Sequence, residues 1–185
     1  MMRSITMLSA LLAAAIATGC GKGPTSPSDN PRAVTSPAAT YATTTFSFTS
    51  DADDFVGRGR TQTFTMQNSR FFANVGNNGG YLSIVIRPAV GETPTWGLVV
   101  MAPTGSTIVP GTYQTVRDFG DRFTVDFGGD GRGCSMITGT ATIHAFDFIP
   151  ENQALKHFRA SFEQHCQGAP AALRGEVAIL ADPWR

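Results

Sequence analysis

The chain has 185 residues, with 14 basic and 14 acidic side chains, a formal net charge of +0 and 42% hydrophobic residues. That length suits one domain with an appendage. A nucleic-acid partner calls for a basic face; this chain carries no Lys/Arg cluster, so no nucleic acid is expected.

The first segment is a leader. Met1–Ser4 carries one positive charge, Arg3, and an uncharged Ala/Leu-rich run follows over residues 5–17. A bilayer crossing takes roughly 20 apolar residues, so this run reads as a signal peptide, residues 1–19, and stands apart from the fold. Ala17-Thr18-Gly19-Cys20 resembles a bacterial lipobox, in which small residues precede a Cys that is acylated and becomes the new N-terminus. The resemblance implies lipidation at Cys20, a membrane partner through that anchor and a place in the cell envelope. With Gly21 rather than Asp after the Cys, that place is the outer membrane if the host is Gram-negative. The alternative is ordinary cleavage after Ala15-Ile16-Ala17, giving a soluble secreted protein. Removing residues 1–19 from the 185 leaves 166, with a formal side-chain charge of −1.

Residues 20–40 hold four prolines among many Ser, Thr and Ala residues. They have almost nothing to bury and read as a disordered tether. At roughly 3.1 Å per residue it reaches about 60 Å.

Residues 41–185 read as one domain with period-two patterning. Phe46 and Phe48 alternate with polar residues, and Gln62, Phe64 and Met66 share one side of a second segment. Phe71-Phe72 begins a third, and Asn77-Asn78-Gly79-Gly80 is a hairpin turn. Leu82, Ile84 and Ile86 form an inward row that Pro88 closes. Trp96, Leu98 and Val100 form the next row, then Phe123, Val125 and Phe127. Gly128-Gly129-Asp130-Gly131 turns the chain into a β-rich stretch from Cys134 to Phe148. After Pro150-Glu151-Asn152 come Phe158, Ala160 and Phe162, then Leu173, Val177 and Ile179. About nine or ten short strands with Gly/Pro turns indicate an all-β fold, an antiparallel β-sandwich. Its thirteen Phe residues suit an inter-sheet core about 10 Å thick.

With Cys20 assigned to lipid, Cys134 and Cys166 are an even pair in an oxidising compartment, where a disulfide persists. Such a closure stabilises by about 3–4 kcal/mol in the loop-entropy account. The alternative is two free thiols. Neither belongs to a CxxC, so no redox or zinc motif is present.

Several phrases resemble an uncharacterised family of secreted, lipid-anchored bacterial β-sandwich domains. They are Asp54-Phe55-Val56-Gly57-Arg58-Gly59, Trp96, Val109-Pro110-Gly111-Thr112-Tyr113 with Arg117, Gly131-Arg132-Gly133-Cys134, and Phe162-Glu163-Gln164-His165-Cys166-Gln167-Gly168. The resemblance covers roughly residues 46 to 180 and implies a Cys134–Cys166 bridge. It implies no activity. Gln167 stands where that family usually has Glu.

Sites of chemistry are sparse. Asp51, Asp53 and Asp54, with Asp126 or Asp130, suggest a calcium loop, but counting from Asp51 an EF-hand needs Gly at its sixth position and Glu at its twelfth, which are Val56 and Gln62 here. A solvated turn is the expected reading, with no metal and no cofactor. His144, His157 and His165 have no metal-ligand spacing, and no GxSxG or phosphate loop occurs. Glu163 and His165 lie two apart, on one strand face, and are expected to pair or to join Arg132 beside the disulfide. This cluster reads as structural rather than catalytic. Trp96, Tyr113 and Trp184 are candidate sugar-stacking rings, with Trp96 expected in the core. Two functions remain open. One is a surface-tethered binding or envelope-structural domain with a glycan or envelope protein as ligand. The other is a small hydrolase acting on glycans, which needs two facing carboxylates.

Overall fold

The structure, a computed structural model, describes residues 43–89, 95–117 and 120–180. The signal peptide, Cys20, the tether and Trp184 lie outside the described residues.

Alternation builds the strands. In β1 (Thr45–Ser50) Phe46, Phe48 and Ser50 point inward, and in β2 (Thr61–Thr65) Phe64 does. β3 (Ser69–Gly76) and β4 (Tyr81–Pro88) are joined by the expected turn, a short 3-10 segment at Asn77–Gly79 in which Asn77, Asn78 and Gly79 all have positive φ. Then follow β5 (Trp96–Met101), β6 (Gly111–Val116), β7 (Thr124–Gly129), β8 (Ile137–Ile149), β9 (Ala154–Cys166) and β10 (Ala172–Leu180). The strands form a six-stranded sheet in the order β2-β1-β10-β9-β8-β6 and a four-stranded sheet in the order β3-β4-β5-β7. Every pairing is antiparallel. The expected antiparallel β-sandwich, ten strands among the described residues, is the observed fold.

Facing rows from the two sheets meet in one core. Phe46 stacks on Phe127 at 4.9 Å between ring centroids, Phe48 lies 4.9 Å from Trp96, and Trp96 stacks on Phe127 at 5.4 Å. Burying one such ring stabilises by roughly 1.5–3 kcal/mol, and offset or tilted pairs add about 0.5–1.5 kcal/mol each. Trp96 fits because its cross-strand partner is Gly129, where a β-carbon would lie 2.1 Å from the indole ring.

Two details depart from the expected rows. Met66 lies in the turn after β2 and is 58% exposed rather than inward. β8 holds two irregularities, one between Ile143 and Ala145 and one between Asp147 and Phe148. A bulge shifts a strand's parity. Ile137, Ala141 and Ile143 therefore face the core before it, while Phe146 and Phe148 pack against the core after it.

The disulfide joins Cys134 to Cys166, with Cα atoms 5.2 Å apart, inside the usual range of roughly 4.4–6.8 Å. Thr44 and Leu180 exchange hydrogen bonds (Oγ1 to O at 3.2 Å, N to Oγ1 at 3.1 Å), so the described chain enters and leaves the sandwich at one end. The β1–β2 loop, the β9–β10 turn and the disulfide sit at the other end, as the registers Ser50↔Leu173 and Ile137↔Cys166 show.

Candidate functional site

The phrase from Phe162 to Cys166 alternates across β9, and each residue has a distinct physical task. Phe162 packs in the core near Phe46 and Phe127. Gln164, 1% exposed, points inward and crosses to the other sheet: its Nε2 donates to the Phe127 carbonyl at 2.9 Å and its Oε1 accepts from the Phe127 N–H at 2.8 Å. Strand β7 is the last strand of its sheet, so these bonds satisfy backbone groups that an edge leaves unpaired. Gln164 Nε2 also lies 3.2 Å from Cys134 Sγ. Cys166 completes the disulfide.

The outward residues of the same phrase form an ion-pair chain. His165 Nε2 is 3.1 Å from Glu163 Oε1, as the two-residue spacing leads one to expect. The arginine that completes the cluster is Arg174, not Arg132. Arg174 lies directly across from Glu163 in the β9–β10 register; its Nε donates to Glu163 Oε2 at 2.8 Å and its Nη1 to Asp51 Oδ1 at 3.2 Å. Asp51 Oδ2 also accepts the Ala172 N–H. The hydrogen bond from His165, aided by Arg174, holds Glu163 below the ordinary carboxylate range. The Ala172 N–H, then Arg174, does the same for Asp51.

Arg132 belongs elsewhere. Asp130 and Gly131, both at positive φ, make the two-residue turn after β7. Asp130 Oδ2 accepts from Arg60 at 2.6 Å and from Arg132 at 3.2 Å, and Arg60 lies 5.4 Å over the Trp96 ring. This clasp ties the end of the β1–β2 loop to the β7–β8 turn, and Arg60 with Arg132 lowers the Asp130 pKa.

The aspartates weighed as a calcium loop do not converge. Asp51 serves Arg174, Asp54 is buried and caps the Gly57 N–H, Asp130 serves the two arginines, and Asp126 lies 3.8 Å from Arg117. Burial raises the Asp126 pKa against the pull of Arg117. Among the described residues no three His, Cys, Asp or Glu side chains gather to hold a metal ion.

Among the described residues, a concave feature lies on the outer face of the six-stranded sheet. A depression of about 500 Å³ runs over β1, β10, β9 and β8 and presents Ser47, Thr49, Thr140, Ser161, Glu163 and Glu176. A second, of about 310 Å³, adjoins it through the shared Ser47, Ser161 and Glu176 and brings in His144 and Arg159. Four strands at about 4.8 Å spacing make the groove roughly 14 Å across. Its size is that of a ligand pocket, and its lining mixes Ser, Thr and Glu groups with apolar surface. His144 Nε2 is 3.2 Å from Ser161 Oγ, and burial, then the charge of Arg159, lowers the His144 pKa while Glu176 opposes them.

Sequence reading did not single out Gln164, Arg174 or Glu176. Position parity carried a signal for all three, since 162, 164 and 166 share one face, as do 174 and 176. The β9–β10 register, which brings Glu163 to Arg174, has no local signature. Of the rings proposed for sugar stacking, Trp96 is 1% exposed and belongs to the core. Tyr113 is stacked on Phe123 at 4.0 Å, with its hydroxyl donating to the Val109 carbonyl. Comparison with protein-family models, with curated proteins and with solved structures finds no match for this chain, so its site is read from its geometry.

Proposed function

We propose that this chain is a lipid-anchored envelope protein, acylated at Cys20, whose β-sandwich binds an envelope ligand across the outer face of its six-stranded sheet. The supporting observation is the groove and the polar side chains left open in it. Ser47, Thr140 and Glu176 line it, and their side chains make no hydrogen bond or salt bridge with another described residue. Groups placed together in a concavity and left without protein partners are the ones a ligand can engage. The quoted motifs have structural tasks in and around the core, so they support a scaffold role for that part of the chain.

A glycan hydrolase is the second reading, because Glu163 and Glu176 share one groove. Glycoside hydrolysis needs one carboxyl group kept protonated by a raised pKa. Glu163 is shifted the opposite way, by the hydrogen bond from His165 and by Arg174, so it does not suit the acid's role, and both of its carboxylate oxygens are already engaged by His165 and Arg174.

Two experiments test the proposal. Cys20→Ala is expected to move the protein from the membrane to the soluble fraction; retention in the membrane contradicts the anchor. A glycan array run beside a panel of chromogenic glycosides is expected to show binding without turnover. Turnover that is lost in Glu163→Gln or Glu176→Gln replaces the binding reading with the hydrolase.

A further inference from the structure

We propose that the groove is an amino-sugar site, in which Glu176 takes the ligand's ammonium group and the surrounding hydroxyls take the ligand's hydroxyls. The proposal rests on the binding reading above and names its ligand class. Glu176 lines both depressions, with Ser47 and Ser161 beside it, and so lies where they join. In the register it stands opposite Ser47 of β1 on one side and Ser161 of β9 on the other.

The contrast with Glu163 in the same groove is decisive. Glu163 commits one oxygen to His165 and the other to Arg174. The side chain of Glu176 makes no hydrogen bond or salt bridge with another described residue and acts on His144 by charge alone. An ionised carboxylate only accepts hydrogen bonds, and charge-assisted bonds to a cation are about twice as strong as neutral ones. An ammonium donor is therefore the group Glu176 suits.

Charge on the groove points the same way. The positive charge of Arg174 is shared between Asp51 and Glu163, leaving that trio with one net negative charge. His144 is biased toward its neutral form by burial and by Arg159, and Arg159 has a partner of its own. An acidic glycan would meet two carboxylates. A cationic one meets an open acceptor.

The hydroxyls supply the rest of the match. Ser47 and Thr140 can each donate and accept, as can the hydroxyls of a sugar ring. Ser161 contacts His144 at 3.2 Å and Thr142 contacts Thr112 at 3.0 Å, which fixes two of the flanking groups in place. Among the described residues, the Phe, Tyr and Trp rings in the lining are those of Phe48 and Phe162, which are buried in the core. Recognition here works through polar edges of the ligand rather than by stacking on its faces.

The test uses the full chain in detergent micelles and two probes, a β-1,4-linked glucosamine oligomer and the N-acetylglucosamine oligomer of equal length. Calorimetry reads affinity, and NMR reads the amides of Ser47 and Ser161 and the His144 ring. The expected result is about tenfold tighter binding of the free-amine oligomer, equal to about 1.4 kcal/mol, with shifts at those amides. His144 titrates lower in the complex, because the bound cation offsets the support that Glu176 gives the imidazolium. Glu176→Gln removes the preference while leaving the melting temperature unchanged, and Ser47→Ala weakens both probes alike. Equal affinity for the two probes, or a preference that survives Glu176→Gln, overturns the amino-sugar proposal and leaves the groove as the binding face if its amides still shift. If neither probe moves the groove amides but another envelope glycan does, the ligand class is wrong and the binding reading stands. If a full glycan panel leaves them unmoved, both fall.

Discussion

The end of the sandwich holding the disulfide and the outer face of the six-stranded sheet use polar residues in opposite ways. At the disulfide end, polar groups satisfy one another. Gln164 holds both backbone groups of Phe127, Arg60 and Arg132 share Asp130, and Arg174 spans Asp51 and Glu163. On the open face, the side chains of Ser47, Thr140 and Glu176 are oriented by the strands that carry them and make no hydrogen bond or salt bridge with another described residue. The difference separates groups that hold the fold from groups that face outward on the sheet, where the proposed ligand would meet them. It also explains why the long cysteine-containing phrases, which look most like a functional signature, are scaffold.

The comparison is sharpened most strongly at the disulfide. Replacing Cys134 and Cys166 together by Ser is expected to lower unfolding free energy by about 3–4 kcal/mol for a closure of 32 positions, read as the midpoint of urea denaturation. Next is Gln164→Leu. It strips the Phe127 N–H and carbonyl of their cross-sheet partners, and a buried group so orphaned costs about 1–3 kcal/mol. A loss below about 0.5 kcal/mol would show that water replaces the amide and that the edge-capping role is wrong.

Acid provides a smaller, collective effect. Asp51, Asp130 and Glu163 all have folded-state pKa values lowered by their partners. A depressed carboxylate contributes stability that is fully present above its unfolded pKa and is lost as pH falls through the folded value. The melting temperature is therefore expected to hold at neutral pH and to fall on acidification below about pH 4. Asp126 runs the other way: its raised pKa means that its contribution improves as pH falls, so Asp126→Asn is expected to flatten that small opposing trend. The smallest effect lies on the open face, where Glu176→Gln and Ser47→Ala are expected to change stability by less than about 0.5 kcal/mol. A larger loss would place these residues with the scaffold.

The sandwich was legible because period-two rows such as Leu82, Ile84 and Ile86 specify which face of a strand is buried. The cysteine pair was legible by parity and compartment, and the Glu163–His165 pair by its spacing along one strand. Arg132 was misplaced because its partner is set by a tight turn: Asp130 and Gly131 fold it back beside Asp130 and Arg60 rather than toward β9. Met66 continues the alternation of β2 in sequence, but the strand ends at Thr65 and Asn68 closes a turn on the Thr65 N–H. The groove was invisible because it is assembled from β1, β8, β9 and β10, and only long-range register places Ser47, Glu176 and Ser161 in one row.

The most direct test of the claim that the open face binds and the disulfide end supports is amide mapping by NMR during titration with an envelope-glycan panel. The account predicts ligand-dependent shifts at Ser47, Thr140, Ser161 and Glu176, with residues 51–60 and 130–136 unmoved. Shifts confined to those two loops, with the sheet face silent, would contradict it.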